Sequence, residues 1–157
     1  MSIYIKEKNE SYSSARDLAA LIQYIETDKP TGRKCYYRGY IYTSPYNAVD
    51  EFLYVKHYYG KLNGRYARHL IISFDKQEQL TDDELYELGF EFARYYGNDR
   101  QIVFAVHTNT DNHHIHMAIN TVSFIDGSKL HENYADFYAL KAHIERTLQE
   151  YKQRKCY

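Results

Sequence analysis

The sequence has no tryptophan, only two prolines and only two cysteines in 157 residues, and no long apolar run. Cys35 and Cys156 form neither a CxxC pair nor a disulfide framework, which excludes a disulfide-stapled secreted scaffold. They are expected to be free thiols in a reducing cytoplasm. No stretch approaches the roughly 20 apolar residues of a membrane span, so no membrane role is expected. Met1 to Asn9 lacks the apolar segment and small residues of a secretory signal. No repeat or low-complexity linker divides the chain, and its length suits one domain over residues 1–157.

An excess of one charge is also missing. The net charge of −1 withholds the strongly basic footprint usual for nucleic-acid binders. Its distribution is uneven, however. Residues 1–70 carry 11 Lys and Arg against 7 Asp and Glu, whereas residues 71–120 carry 3 against 9. Much of the acidity lies between Asp75 and Glu91, and a solvated face pointing away from a polyanion would account for it.

What is present is an ordinary folded composition, 44 % hydrophobic and 26 % charged, with an excess of tyrosine at 19 residues. Tyrosine fills half-buried positions on strands and helices, and it also stacks on unpaired bases. Helical and strand periods alternate. Ser2 to Lys6 reads as a strand. Leu18, Leu21, Ile22 and Ile25 recur at helical spacing in a helix from Ser13 to Glu26, capped by Ser13 or Ser14. After a polar break at Asp28 to Gly32, Cys35 to Thr43 is extended. Ser44-Pro45 opens a second helix that Gly60 stops. Asn63-Gly64 turns into a strand from Arg65 to Phe74. The capping box Thr81-Asp82-Asp83-Glu84 opens a third helix, ended by Gly97. Strands Gln101 to His107 and His114 to Phe124 precede a last helix, Asp136 to Tyr151.

This β-α-β-α-β-α-β-β-α order, with a short loop between the last two strands, predicts an α+β fold. An antiparallel sheet with helices packed on one face is expected.

Four of the eight histidines lie between His107 and His116. Alternation along a strand puts His114, His116, Ala118 and Asn120 on one face, with Ile115, Met117 and Ile119 turned to the core. His107 ends the preceding strand, and the loop returns the chain beside it. Three imidazoles then converge on one point. Such a set suits a divalent metal with positions left open for substrate, where bound charge assists displacement at phosphorus. A structural zinc site or ordinary core histidines are the alternatives, and no nearby cysteine favours the former.

His114-Ile115-His116, with His107 upstream and Asn120 downstream, resembles the third motif of relaxases. These are the His-hydrophobic-His (HUH) single-strand endonucleases of conjugative and mobilisable elements, plasmids among them. Leu21-Ile22-Gln23-Tyr24-Ile25 is similar to the family's first motif, which supplies a nucleophilic tyrosine. Gly64 to Phe74 resembles the strand after the second helix, and Ser123-Phe124 with the Asp126-Gly127 turn resembles the family's segment beyond the third motif. The resemblance implies a relaxase-like, RRM-related palm and metal ligation by His107, His114 and His116. It implies strand nicking by Tyr24, through a 5′-phosphotyrosyl intermediate that can be religated.

Tyr36, Tyr37 and Tyr40 are physically admissible substitutes for Tyr24. His69 is expected to orient DNA or assist proton transfer, or to be half-buried packing. Asp111 is expected to steady a ligand imidazole, or simply to form a turn, and Asn120 to support the site. DNA contacts are expected from Lys29, Arg33, Arg65 and Arg68, with Lys34, Arg38, Lys56 and Lys61 nearby. The family expectation for the metal is Mg²⁺ or Mn²⁺, although three imidazoles by themselves prefer Zn²⁺.

Single-stranded DNA at an origin of transfer is the implied substrate. A relaxosome accessory protein and a type IV secretion coupling protein are the implied partners. Family members are commonly longer, which implies a piece of a longer protein or a minimal member. Three rivals stand beside this reading. One is a replication initiator of the same superfamily, in which the tyrosine usually lies after the histidines. The second is a hydrolase of small phosphates. The third is a non-catalytic nucleic-acid-binding module with a structural metal site.

Overall fold

The elements run β1 (Ile3–Glu7), α1 (Ala15–Thr27), β2 (Pro30–Arg38), β3 (Ile41–Tyr42), α2 (Ala48–Tyr58), β4 (Ala67–Phe74), α3 (Asp82–Gly97), β5 (Ile102–His107), β6 (His114–Asn120) and α4 (Tyr134–Lys155). They belong to a computed structural model that describes residues 3–8, 12–27, 30–39, 41–42 and 44–156. The six strands form one sheet in the order β1-β4-β6-β5-β2-β3, every pairing antiparallel. The expected α+β architecture is therefore present, with β3 as an added edge strand.

Local chemistry sets the helix starts. The Ser14 hydroxyl accepts the Asp17 N–H, and Thr81 and Glu84 close a capping box at α3. A further capping box, Asn133 with Asp136, opens α4. A 3-10 turn at Pro45–Asn47, capped by Ser44, precedes α2. Gly60, at φ +66°, lies just past the end of that helix.

The expectation of helices on one face needs correction: both faces are covered. Leu85, Leu88 and Phe92 of α3, with Leu140, Ile144 and Leu148 of α4, pack on Leu70, Ile72, Phe104, Ile115, Met117 and Ile119. On the opposite face, Leu18, Leu21, Ile22 and Ile25 of α1 and Phe52 of α2 pack on Tyr36, Ala67, Val103, Ala105 and Ala118. Periodicity reveals that a helix has an apolar stripe but not which side of the sheet receives it. The small residues Ala67, Ala105 and Ala118 leave α1 room to lie close, and each of its fully buried aliphatic side chains contributes roughly 2 kcal/mol. The acidic run from Asp75 to Glu91 lies in and before α3, on the face opposite α1.

Candidate active site

The β5–β6 register places His107 directly across from His114, and Ala105 across from His116. All three histidines project on the α1 side because residues of even number on β6 and odd number on β5 share that face. Ring centroids lie 5.3 Å apart for His107 and His114, 4.4 Å for His107 and His116, and 4.9 Å for His114 and His116. One nitrogen from each ring falls within 4.8 Å of the other two, a group able to hold a metal ion.

Hydrogen bonds fix two of these rings. His107 Nε2 lies 2.8 Å from the Ile25 carbonyl, and His114 Nδ1 lies 3.0 Å from the Asn112 carbonyl. A carbonyl only accepts, so those nitrogens carry the protons, and Nδ1 of His107 and Nε2 of His114 carry the lone pairs. His116 Nδ1 lies 2.8 Å from His69 Nε2. Burial, then the neighbouring imidazoles of His107, His69 and His114, hold His116 far below the ordinary histidine range, in its neutral form. Convergent imidazoles braced from behind are a donor set suited to a divalent cation, and these residues fit one.

Tyr24 stands beside this group. Its ring centroid is 5.6 Å from that of His116, with planes at 76°, and 6.1 Å from that of His69. It is 46 % exposed, on the last turns of α1, while Leu21, Ile22 and Ile25 anchor the helix below it. A cleft of about 510 Å³, lined by Lys8, Tyr12, Asp17, Leu21, Tyr24 and His69, adjoins the group on the Tyr24 side, and the three grouped histidines do not line it. Tyr36 and Tyr37, by contrast, are 1 % exposed, and burial raises the Tyr36 phenol far above its usual range. Neither can meet a DNA backbone. Tyr40 lies outside the described residues.

Of the remaining candidates, His69 adjoins the group, whereas Asn120 and Asp111 do not. His69 is buried on β4, a strand that borders β6 rather than β5, and sits between Tyr12 and His116. Asn120 shares the imidazole face, but at the far end of β6. There its side chain accepts from Lys56 and Val122 and donates to Gln101 and the Phe52 carbonyl. Length along the strand separates it from His114, since six residues span about 20 Å. Asp111 lies in the exposed β5–β6 loop, lining a small cleft with His113, Phe74 and Leu85.

Of the expected DNA contacts, the structure buries Arg68 and Lys56 and pairs Arg33 and Arg65 with acidic groups. Arg68 is 4 % exposed and locked to Glu7, Tyr96 and Glu132 on the α3 side. Arg33 also faces α3, paired with Asp83 at 2.6 Å and lying over the Tyr86 ring. Arg65 binds Glu7 and the Lys8 carbonyl. Lys56 is fully buried against Asn120 and Thr121. Lys29 lies outside the described residues. Sequence reasoning missed Lys8 and Tyr12. Both line the cleft, Lys8 just after a strand that pairs with β4, and no local pattern marks them.

An antiparallel sheet thus presents a histidine-lined face beside a helix that carries a tyrosine. The chain belongs to the relaxase family of MobA/VirD2-like nuclease domains, whose family model matches residues 24–153. The match begins at Tyr24 and includes all three imidazoles. "Protein rlx" of Staphylococcus aureus is 39 % identical over 75 residues, covering 48 % of this chain and 23 % of that protein. "Protein TraI" of Escherichia coli is 36 % identical over 77 residues, 48 % of this chain and 10 % of its own length. "Group II intron-interrupted relaxase LtrB" of Lactococcus lactis is 23 % identical over 150 residues, 80 % of this chain and 26 % of its own. The chain thus spans about a quarter or less of these curated relatives. A solved structure described as "Molecular Basis of Vancomycin Resistance Transfer in Staphylococcus aureus" superposes with a TM-score of 0.71. The match covers 99 % of this chain and 94 % of that one at 13 % identity, and so shows a shared fold. Among the described residues no helix is long and apolar enough to cross a membrane.

Proposed function

We propose that this domain nicks one strand of DNA at an origin of transfer, with Tyr24 as nucleophile. The single observation that carries this reading is the placement of a half-exposed tyrosine ring 5.6 Å from His116, within a three-imidazole group. The Tyr24 oxygen loses its proton and attacks a backbone phosphorus. The bond from phosphorus to the 3′-oxygen breaks, and that oxygen leaves as a hydroxyl after taking up a proton. A 5′-phosphotyrosyl ester remains. It keeps the phosphodiester linkage, so attack by a 3′-hydroxyl restores the strand.

His107, His114 and His116 would hold a divalent cation, Mg²⁺ or Mn²⁺ by family expectation and Zn²⁺ by donor preference. When bound, it supplies positive charge against the phosphate. The helix that carries Tyr24 is tied to the imidazole group through the Ile25 carbonyl and His107, which supports this role. The cleft beside Tyr24 has room for one nucleotide unit, with Lys8 at its wall to meet a phosphate. On this reading the domain acts in the cytoplasm. A relaxosome accessory protein and a type IV secretion coupling protein are the implied partners.

Incubation with Mn²⁺ and labelled single-stranded origin-region oligonucleotides, followed by a denaturing gel, tests the proposal. A covalent adduct formed by the wild type and lost in Tyr24→Phe and His116→Ala is expected. An adduct that survives Tyr24→Phe would move the nucleophile elsewhere. No adduct at all, with metal binding and DNA binding intact, would favour a non-catalytic binding module.

A further inference from the structure

Behind His116 the hydrogen-bonded line continues. His69 Nε2 meets His116 Nδ1 at 2.8 Å, and the Tyr12 hydroxyl meets His69 Nδ1 at 3.1 Å. His69 is 2 % exposed, and it reaches His116 diagonally across the β4–β6 pairing, since its direct partner is Ala118. Tyr12 holds a left-handed backbone, φ +40°, an uncommon conformation for a bulky residue. The Tyr66 N–H, donating to the Tyr12 carbonyl at 2.8 Å, helps to hold it there. Strain of this kind persists only where the surroundings enforce it, and it clusters at functional sites. Here it accompanies a hydroxyl placed at His69 Nδ1.

We propose that Tyr12 and His69 are positioning residues that set the tautomer of the ligand His116. This rests on the reading that the three imidazoles hold a metal. A neutral imidazole has one N–H. For His116 to offer Nε2, its proton must sit on Nδ1 and be donated to His69 Nε2. His69, accepting there, carries its own proton on Nδ1 and donates it to the Tyr12 oxygen. The opposite polarity, with Tyr12 donating to His69 and His69 donating to His116, leaves a proton on the nitrogen that should coordinate. Both polarities fit the same two distances, but only the first is competent to bind. His107 and His114 are fixed by carbonyls, which cannot reverse. His116 alone among the three is fixed by a group that can, so Tyr12 and His69 decide its state.

Two measurements test this. Titration calorimetry with Mn²⁺ on wild type, His69→Phe, His69→Gln and Tyr12→Phe gives the affinities. NMR of imidazole-labelled, Zn²⁺-loaded protein gives the His69 tautomer. His69→Phe should weaken Mn²⁺ binding about 10- to 100-fold, while His69→Gln, whose amide oxygen can accept from His116, stays within about 3-fold of wild type. In the loaded wild type His69 should be protonated on Nδ1, and Tyr12→Phe should weaken Mn²⁺ binding by about 3- to 10-fold. Wild-type affinity in His69→Phe, or His69 protonated on Nε2 in the loaded wild type, would overturn the proposal. So would equal losses in His69→Phe and His69→Gln. If His69→Phe fails to fold, Tyr12→Phe and the wild-type tautomer still decide. Wild-type protein that takes up neither Mn²⁺ nor Zn²⁺ would instead sink the metal reading itself.

Discussion

His107 Nε2 lies 2.8 Å from the carbonyl of Ile25, so the strand that supplies one imidazole also ties down the helix carrying Tyr24. Carbonyls of a helix's last turn have no intrahelical partner, and this one takes an imidazole N–H instead. The two halves of the site are coupled through a backbone atom. His107→Ala should therefore do more than remove a candidate metal ligand. It leaves a buried carbonyl unsatisfied and is expected to cost about 1–3 kcal/mol of stability in the metal-free protein. Chemical denaturation with EDTA present measures this. His114→Ala, which alters a partly exposed ring hydrogen-bonded to the loop carbonyl of Asn112, should cost clearly less. Equal costs would contradict the coupling.

Lys8 and Arg68 should separate cleanly in DNA binding. Lys8 lines the cleft beside Tyr24, whereas Arg68 is buried in ion pairs on the other side of the sheet. Lys8→Ala should weaken single-strand binding and reduce the salt slope of log K by about 0.7, the value of one phosphate contact. Arg68→Ala removes the partner of two carboxylates and should cost about 3–5 kcal/mol of stability. Under conditions where it remains folded, its salt slope should match wild type. Fluorescence anisotropy across a salt series distinguishes the two outcomes.

Lys56 should make stability rise with pH above neutrality. Burial, then the charges of Lys129 and Arg100, lower its pKa to about 7 from an ordinary value of 10.5. Between those values the unfolded chain binds the extra proton, so stability rises with pH. From pH 7 to 8.5 the gain is about 1.5 kcal/mol. Above that window the buried Cys35 thiol, raised to about 11, begins to oppose it. Urea denaturation of wild type and Lys56→Met over this range should show the gain in the first and not in the second. Asn120 Oδ1 keeps the Val122 N–H as a donor in the variant.

Gly89 should not tolerate alanine. A Cβ there would overlap the Phe104 ring at Cε2, where α3 crosses β5. Alanine improves helix propensity by about 1 kcal/mol. The overlap with a fully buried ring outweighs that gain, and a net loss of about 2 kcal/mol is expected. Gly97 is similar: a Cβ would run into the Tyr37 ring. The sequence marks Gly97 as a helix end, but the close approach to Tyr37 is the stronger reason for glycine there. Thermal melting of Gly89→Ala, with a lowered midpoint, checks the prediction.

Much of this molecule can be read from local sequence. Helix starts are written in side chains that cap N–H groups within a turn, as at Ser14 and Thr81. The two-residue period of a strand is equally local. The shared face of His114 and His116, and its convergence with His107 across a short hairpin, were therefore legible. Local patterns were enough for the elements, the grouped imidazoles and the core residues beneath them. The pairing of non-adjacent strands settled the rest. It brought His69 and Tyr12 behind His116, carried Lys8 to the cleft, and put α1 on the face opposite α3. It also buried Arg68 and Lys56 and left Asn120 at the far end of β6. A charge or a hydroxyl has the same appearance in a sequence whether it meets water or a partner. Only long-range contacts, set by the packing of the whole sheet, choose between the two.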